Sequence, residues 1–213
     1  MQKEISFQYK ARYFTLGQFP APKVWLVFHG YGQLAPYFIR KFQFLADAGH
    51  FVIAPEGLHR FYLQDAKNRV GASWMTREER LQDIRNYLSY INQIVNYELK
   101  GEFPSIGIIA FSQGAATATR WALQYPGAIT SLVLWGGIFP PDIDFEKAQD
   151  KFKATPTYFV YGNSDPLITE EKKEEFTLIT QKLGISPSYH TFEGKHVLPP
   201  QELKHYLTKF SLL

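Results

Sequence analysis

The stretch Ile106-Gly107-Ile108-Ile109-Ala110-Phe111-Ser112-Gln113-Gly114 constrains the fold more than any other part of the chain. Its apolar start reads as a buried strand. Residues 115–123 follow, small at first and then carrying Trp121 and Leu123, which is the pattern of a helix whose early turns pass close to other backbone. Ser112 therefore falls on a sharp strand-to-helix turn. Such a turn lifts a hydroxyl out at the end of a sheet and aims backbone N–H groups at the same point. A bulky side chain at Ala110 or Gly114 would collide with neighbouring backbone. The motif is G-x-S-x-G with alanine in its first position. A surface serine in an ordinary turn also satisfies that spelling, but seldom with an apolar strand before it and a helix after it.

The rest of the 213 residues repeat the strand-then-helix alternation. Apolar runs at 24–28, 51–54 and 131–135, and the segments 156–161 and 187–192, read as strands. Helical spacing connects Phe38, Ile39, Phe42 and Leu45, with Gly49 as a stop. Thr76-Arg77-Glu78-Glu79 has the form of a capping box, opening a long helix with Leu81, Ile84, Leu88, Ile91 and Val95 on one face and Gly101 at its end. Further helices are expected from near Thr169 and from Pro200. Residues 5–9 and 12–16 alternate well enough to be an edge hairpin. Residues 56–75 are expected to be a long irregular segment with Phe61, Tyr62 and Trp74. The alternation predicts an α/β fold with a mainly parallel sheet and helices on both faces. The chain is expected to form one domain over 1–213, with residues 1–20 as the edge hairpin and no separate cap domain.

Composition removes several classes of function. The formal charge is +3, and the basic residues are scattered among acidic ones, so no nucleic-acid-binding stripe is present. There is no cysteine, which excludes disulfides, zinc-thiolate sites and a cysteine nucleophile. No apolar run is long enough to span a bilayer, and residues 1–5 carry no signal-peptide pattern. The expectation is a cytoplasmic protein that needs neither cofactor nor metal. A homodimer is compatible with the sequence, which does not decide it.

Ligands on such sheets bind beyond the carboxyl ends of the strands. Four stretches follow strands directly and should collect there. One is His29-Gly30-Tyr31-Gly32-Gln33, where glycines free backbone N–H groups to face a ligand. The others hold Ser112, Asp165 and His196. A serine hydroxyl needs a base; imidazole can take its proton and return it to a leaving group. A carboxylate fixes the imidazole tautomer. The backbone N–H groups of Tyr31 and Gln113 are the expected oxyanion donors. Other readings stay open for single residues: His29 bonded within its own loop, Asp165 as a turn residue beside Pro166, and His59 as a competing base. Of the histidines, His196 alone sits in a loop after a strand and downstream of the acid.

These stretches, Phe28-His29-Gly30-Tyr31-Gly32, Ala110-Phe111-Ser112-Gln113-Gly114-Ala115, residues 162–168 and Gly194-Lys195-His196, resemble the phospholipase/carboxylesterase family of α/β-hydrolases, which includes acyl-protein thioesterases. The resemblance runs from about residue 20 to the C-terminus. It implies the α/β-hydrolase fold, the triad Ser112, Asp165 and His196, and oxyanion donors at Tyr31 and Gln113. It also implies substrate contacts from Trp74 and Leu167. Ala110 departs from the family's glycine and is expected to tighten the elbow. The expected activity is hydrolysis of small to medium carboxylic esters, apolar on the acyl side, through an acyl-serine intermediate. Thioester hydrolysis on the same site is the near alternative; a non-catalytic binding module on the same fold is the remote one.

Overall fold

The computed structural model describes residues 1, 3–64 and 68–213. Seven strands form one sheet in the order β1-β3-β2-β6-β7-β8-β9. They are β1 (Tyr13–Leu16), β2 (Val24–Phe28), β3 (Phe51–Pro55), β6 (Ile106–Phe111), β7 (Ile129–Trp135), β8 (Thr157–Gly162) and β9 (Ser188–Phe192). All neighbours pair in parallel except β1, which runs antiparallel to β3. β2, β3 and β6 are buried along their whole length. This is why they read as unbroken apolar runs: a central parallel strand faces helices on both sides.

Side chains alternate between two cores along each strand. Leu26, Phe28, Ile53 and Ile108 join a core with Tyr87, Ile91, Trp121, Phe152 and Phe176. These come from α3 (Arg80–Glu98), α4 (Gln113–Ala122), α5 (Phe145–Lys153) and α6 (Glu170–Leu183). Trp25, Val27, Val52 and Ile109 join a second core with Phe38, Phe42, Leu45, Leu203 and Leu207. Those belong to α1 (Ala35–Phe38), a 3-10 turn (Ile39–Phe42), α2 (Gln43–Asp47) and α7 (Pro200–Lys209). From β2 the chain goes to β3 on one side, then returns to β6 on the other. The C-terminal ends of β2 and β6 therefore flank the point where strand order reverses, the usual place for a ligand on an open parallel sheet.

Four expectations need correction. Residues 5–9 form no strand, so β1 has no hairpin partner and pairs with β3 instead. Ile5, Phe7 and Tyr9 are exposed and bury nothing that would hold a hairpin together. Residues 56–75 are not irregular throughout: β4 (His59–Tyr62) and β5 (Val70–Ser73) pair antiparallel as a separate two-stranded sheet, Gln33 bridges to Ala72, and residues 65–67 lie outside the described residues. The capping box does not open α3. Glu79 has φ 47°, and the helix starts at Arg80. The Asp83 carboxylate accepts the Thr76 N–H instead (3.1 Å). Finally, α5 was not foreseen from the sequence; Asp144 caps it by accepting the Lys147 N–H at 3.2 Å.

Candidate active site

Ser112 directly follows β6 and caps α4. Its φ of 53° and ψ of −121° lie outside the regions that L-residues ordinarily occupy. Neighbouring backbone holds it there: the Ser112 N–H donates to the Trp135 carbonyl at 2.9 Å, and the Ser112 carbonyl accepts from the Ala115 N–H at 2.9 Å. A Cβ placed on Gly114 would lie 2.6 Å from the Phe28 carbonyl oxygen. So α4 crosses the end of β2 in backbone contact, as the small residues around the elbow predict.

His196 lies in the loop after β9 and Asp165 in the loop after β8. His196 Nε2 is 2.8 Å from Ser112 Oγ, and Nδ1 is 2.7 Å from Asp165 Oδ2. Asp165 is buried, and its Oδ1 also accepts the Leu167 N–H at 2.9 Å. A carboxylate that accepts at Nδ1 keeps the ring proton on that nitrogen. Nε2 is then the acceptor for the serine hydroxyl. The loop around His196 is pinned from below. Trp135 Nε1 donates to the Val197 carbonyl at 2.9 Å, and the His196 ring packs on Phe111 with centroids 4.9 Å apart.

The turn after β2 approaches Ser112 from the other side. His29 is fully buried; its Nε2 accepts the Gly57 N–H at 2.9 Å, and its Nδ1 donates to the Gly30 carbonyl at 2.8 Å. Burial pushes the His29 imidazole down to about 4, so it is neutral near pH 7. The Gly30 N–H donates to Gln33 Oε1 and the Gly32 N–H to the Ala72 carbonyl, each at 2.9 Å. The Tyr31 N–H lies between these two committed donors.

The model of the FSH1 serine hydrolases matches residues 20–206. The chain belongs to that family. It is a serine hydrolase. No curated protein sequence matches it. Among solved structures it is similar to Zea mays acyl-protein thioesterase 2, with TM-score 0.71 at 16% identity over 95% of this chain and 98% of that one. It is similar to esterase PE8, with TM-score 0.69 at 19% identity over 95% and 98%. It is also similar to Arabidopsis thaliana SOBER1, with TM-score 0.64 at 18% identity over 89% and 97%. At such identities these likenesses report the fold, the α/β-hydrolase fold. Among the described residues of this hydrolase, no helix is long and apolar enough to cross a membrane.

Two residues of the hydrolase are placed differently from expectation. Trp74 does not face a cleft. It is 0% exposed, its ring stacks on His29 at 4.8 Å, and its Nε1 donates to the His29 carbonyl at 2.8 Å. A large ring next to a glycine turn fills the space behind that turn, so Trp74 supports the turn from within. His59 pairs with Asp83 at 2.9 Å and takes no part in the serine–histidine–aspartate chain. Leu167 is 58% exposed and tied to the site through its backbone N–H to Asp165.

Three supporting residues escaped the sequence reading. The Gln113 side chain joins the elbow to the segment after β5: its Oε1 accepts the Trp74 N–H at 3.1 Å and its Nε2 donates to the Met75 carbonyl at 3.0 Å. Gln33 closes the turn after β2. Glu56, buried after β3, accepts from Arg12 at 2.6 Å and from the Ala35 N–H at 3.1 Å, which secures the start of α1. The glutamine in each of Gly-Tyr-Gly-Gln and Ser-Gln-Gly was visible in the sequence, but no periodicity marks a polar side chain that folds back on its own turn.

Proposed function

We propose that the hydrolase cleaves carboxylic esters with Ser112 as nucleophile, His196 as general base and acid, and Asp165 as the group that orients it. The observation that carries this reading is the unbroken chain from Ser112 Oγ through His196 to Asp165 Oδ2, with links of 2.8 and 2.7 Å. Both distances lie within the reach a proton transfer requires.

Ser112 Oγ attacks the ester carbonyl as its proton passes to His196 Nε2. The imidazolium that forms is stabilised by the Asp165 carboxylate. The carbonyl oxygen becomes an anion facing the backbone N–H groups of Tyr31 and Gln113, where one such donor is worth about 3 kcal/mol. The carbon–alkoxy bond then breaks, and the alkoxide leaves with the proton from Nε2. Water repeats the cycle on the acyl-serine, releasing the acid and restoring the serine. Exposed Tyr31 belongs to this constellation, and exposed Leu167 and Val197 lie within two residues of Asp165 and His196, which supports a substrate that is apolar on its acyl side and small to medium in size.

The same acyl-serine arises from a thioester, as the name of the Zea mays relative suggests. Oxygen and sulfur esters of one acyl group, assayed side by side, separate the two preferences. The test of the reading as a whole is labelling by a fluorophosphonate together with turnover of 4-nitrophenyl esters from acetate to palmitate. Ser112→Ala is expected to abolish labelling and to lower kcat by about four to six orders of magnitude. Equal labelling of wild type and variant would remove Ser112 from its role.

A further inference from the structure

A cleft beside the turn after β2 is lined by Lys41, which among the described residues has no carboxylate at ion-pair distance. It encloses ≈ 620 Å³ between the α1 and 3-10 segment and the β4–β5 hairpin. Gly32 and Gln33 form one wall, Phe38, Leu63 and Val70 supply apolar surface, and Lys41 lies at its edge. Arg69 also lines it, and among the described residues no Asp or Glu does. Lys41 is half-buried, and burial alone lowers the pKa of its ammonium. Among the described residues no carboxylate lies within ion-pair distance of it. The lysines of α6 differ in this respect: Lys172 pairs with Glu175 and Lys173 with Glu170. A partly desolvated ammonium gains most from an anion brought to it.

The cleft and the proposed site share the turn after β2. A Cβ on Gly30 would lie 3.1 Å from Ser112 Cβ, so this end of the turn touches the serine. Gly32, in the cleft wall, is two residues further on, and two residues span at most about 7 Å. A few methylenes are long enough to cover that span. The cleft's apolar middle suits those methylenes, and Lys41 suits a charge at their end.

We propose that this cleft binds an anionic group, a carboxylate or a phosphate, at the far end of the acyl chain, with Lys41 as its counter-ion. The proposal rests on the ester hydrolysis described above and names the substrate class within it: esters of acids that carry a second acidic group.

The experiment compares three 4-nitrophenyl esters of matched length: a neutral acyl ester, the half-ester of a dicarboxylic acid, and an acyl ester ending in a phosphonate. The readout is the ratio of kcat/KM for each anionic ester to that for the neutral one. Lys41→Met is expected to lower that ratio about tenfold, Lys41→Glu to lower it further, and Lys41→Arg to retain it. Raising the salt concentration should erode the wild-type ratio and leave the Lys41→Met ratio flat. The arm with the larger loss identifies carboxylate or phosphate as the group bound. If neither ratio changes in Lys41→Met or Lys41→Glu while wild type hydrolyses the neutral ester, the subsite is wrong and the hydrolase reading stands. If wild type hydrolyses none of the three, the reading beneath it fails and takes the subsite with it.

Discussion

Ser112 is held in a conformation that an L-residue adopts only when its surroundings dictate it. The His29, Trp74 and Gly57 contacts do the same for the neighbouring turn, and His29 leaves a measurable trace in stability. In the unfolded chain its imidazole takes up a proton near about 6.5; in the folded chain it does not until about 4. Between those values the unfolded state binds more protons, so stability falls as pH drops from 6.5 towards 4 and is level above that window as far as this group is concerned. The full loss amounts to about 3 kcal/mol. Burial lowers His50 and His190 as well, which adds to the loss with the same sign. Urea unfolding at pH 7 and pH 4.5 should show the drop, and His29→Gln should reduce it; an equal drop in both proteins would clear His29 of the effect.

At the scale of elements, the β4–β5 hairpin and the elbow act as a pair joined by Gln113. Gln113→Ala cuts the bonds to Trp74 and Met75 while sparing the backbone N–H of residue 113. We expect kcat to fall about tenfold with little change in KM, since the donor's aim changes and its presence does not; steady-state kinetics on one ester checks this. Gly114→Ala places a methyl against the Phe28 carbonyl and should destabilise the fold by about 1–3 kcal/mol, read from urea midpoints. The elements themselves were unevenly legible. Strands buried on both faces announce themselves, as β2 and β6 do, because every residue must be apolar. α3 was legible as a helix but not at its start. Thr76 and Glu79 have the letters of a capping box, yet tertiary contact gave the N-terminal role to Asp83, which also meets His59. Its buried stripe accordingly runs through Tyr87, Leu88, Ile91 and Val95, with Leu81 62% exposed. The hairpin reads as a loop in the sequence because Gly71 and Ala72 carry little strand propensity; in the fold β5 pairs with β4, and Ala72 also bridges to Gln33. α5 had a usable signal, Asp144 ahead of Phe145, Ala148 and Phe152 at helical spacing.

Across the whole molecule, the three side chains of the candidate site come from loops after β6, β8 and β9, and the turn proposed to hold an oxyanion donor from the end of β2. The sheet alone relates them. Activity should therefore vanish with the global fold and not before it. All four tryptophans are buried, so their fluorescence reports that fold. Turnover and fluorescence are expected to fall along one urea curve; turnover lost at clearly lower urea would mean that the site opens as a separate unit. His196→Gln should keep the wild-type fluorescence transition while losing turnover. The strands of the main sheet from β2 onward, the elbow and the candidate serine, aspartate and histidine were legible in the sequence itself, since apolar runs, glycine turns and strand-end positions are local properties of the chain. The hairpin, the inward placement of Trp74 and the clamps made by Gln33, Gln113 and Glu56 were decided only by the tertiary structure. Each depends on which polar group or ring meets which backbone atom many residues away, and no local pattern encodes that meeting.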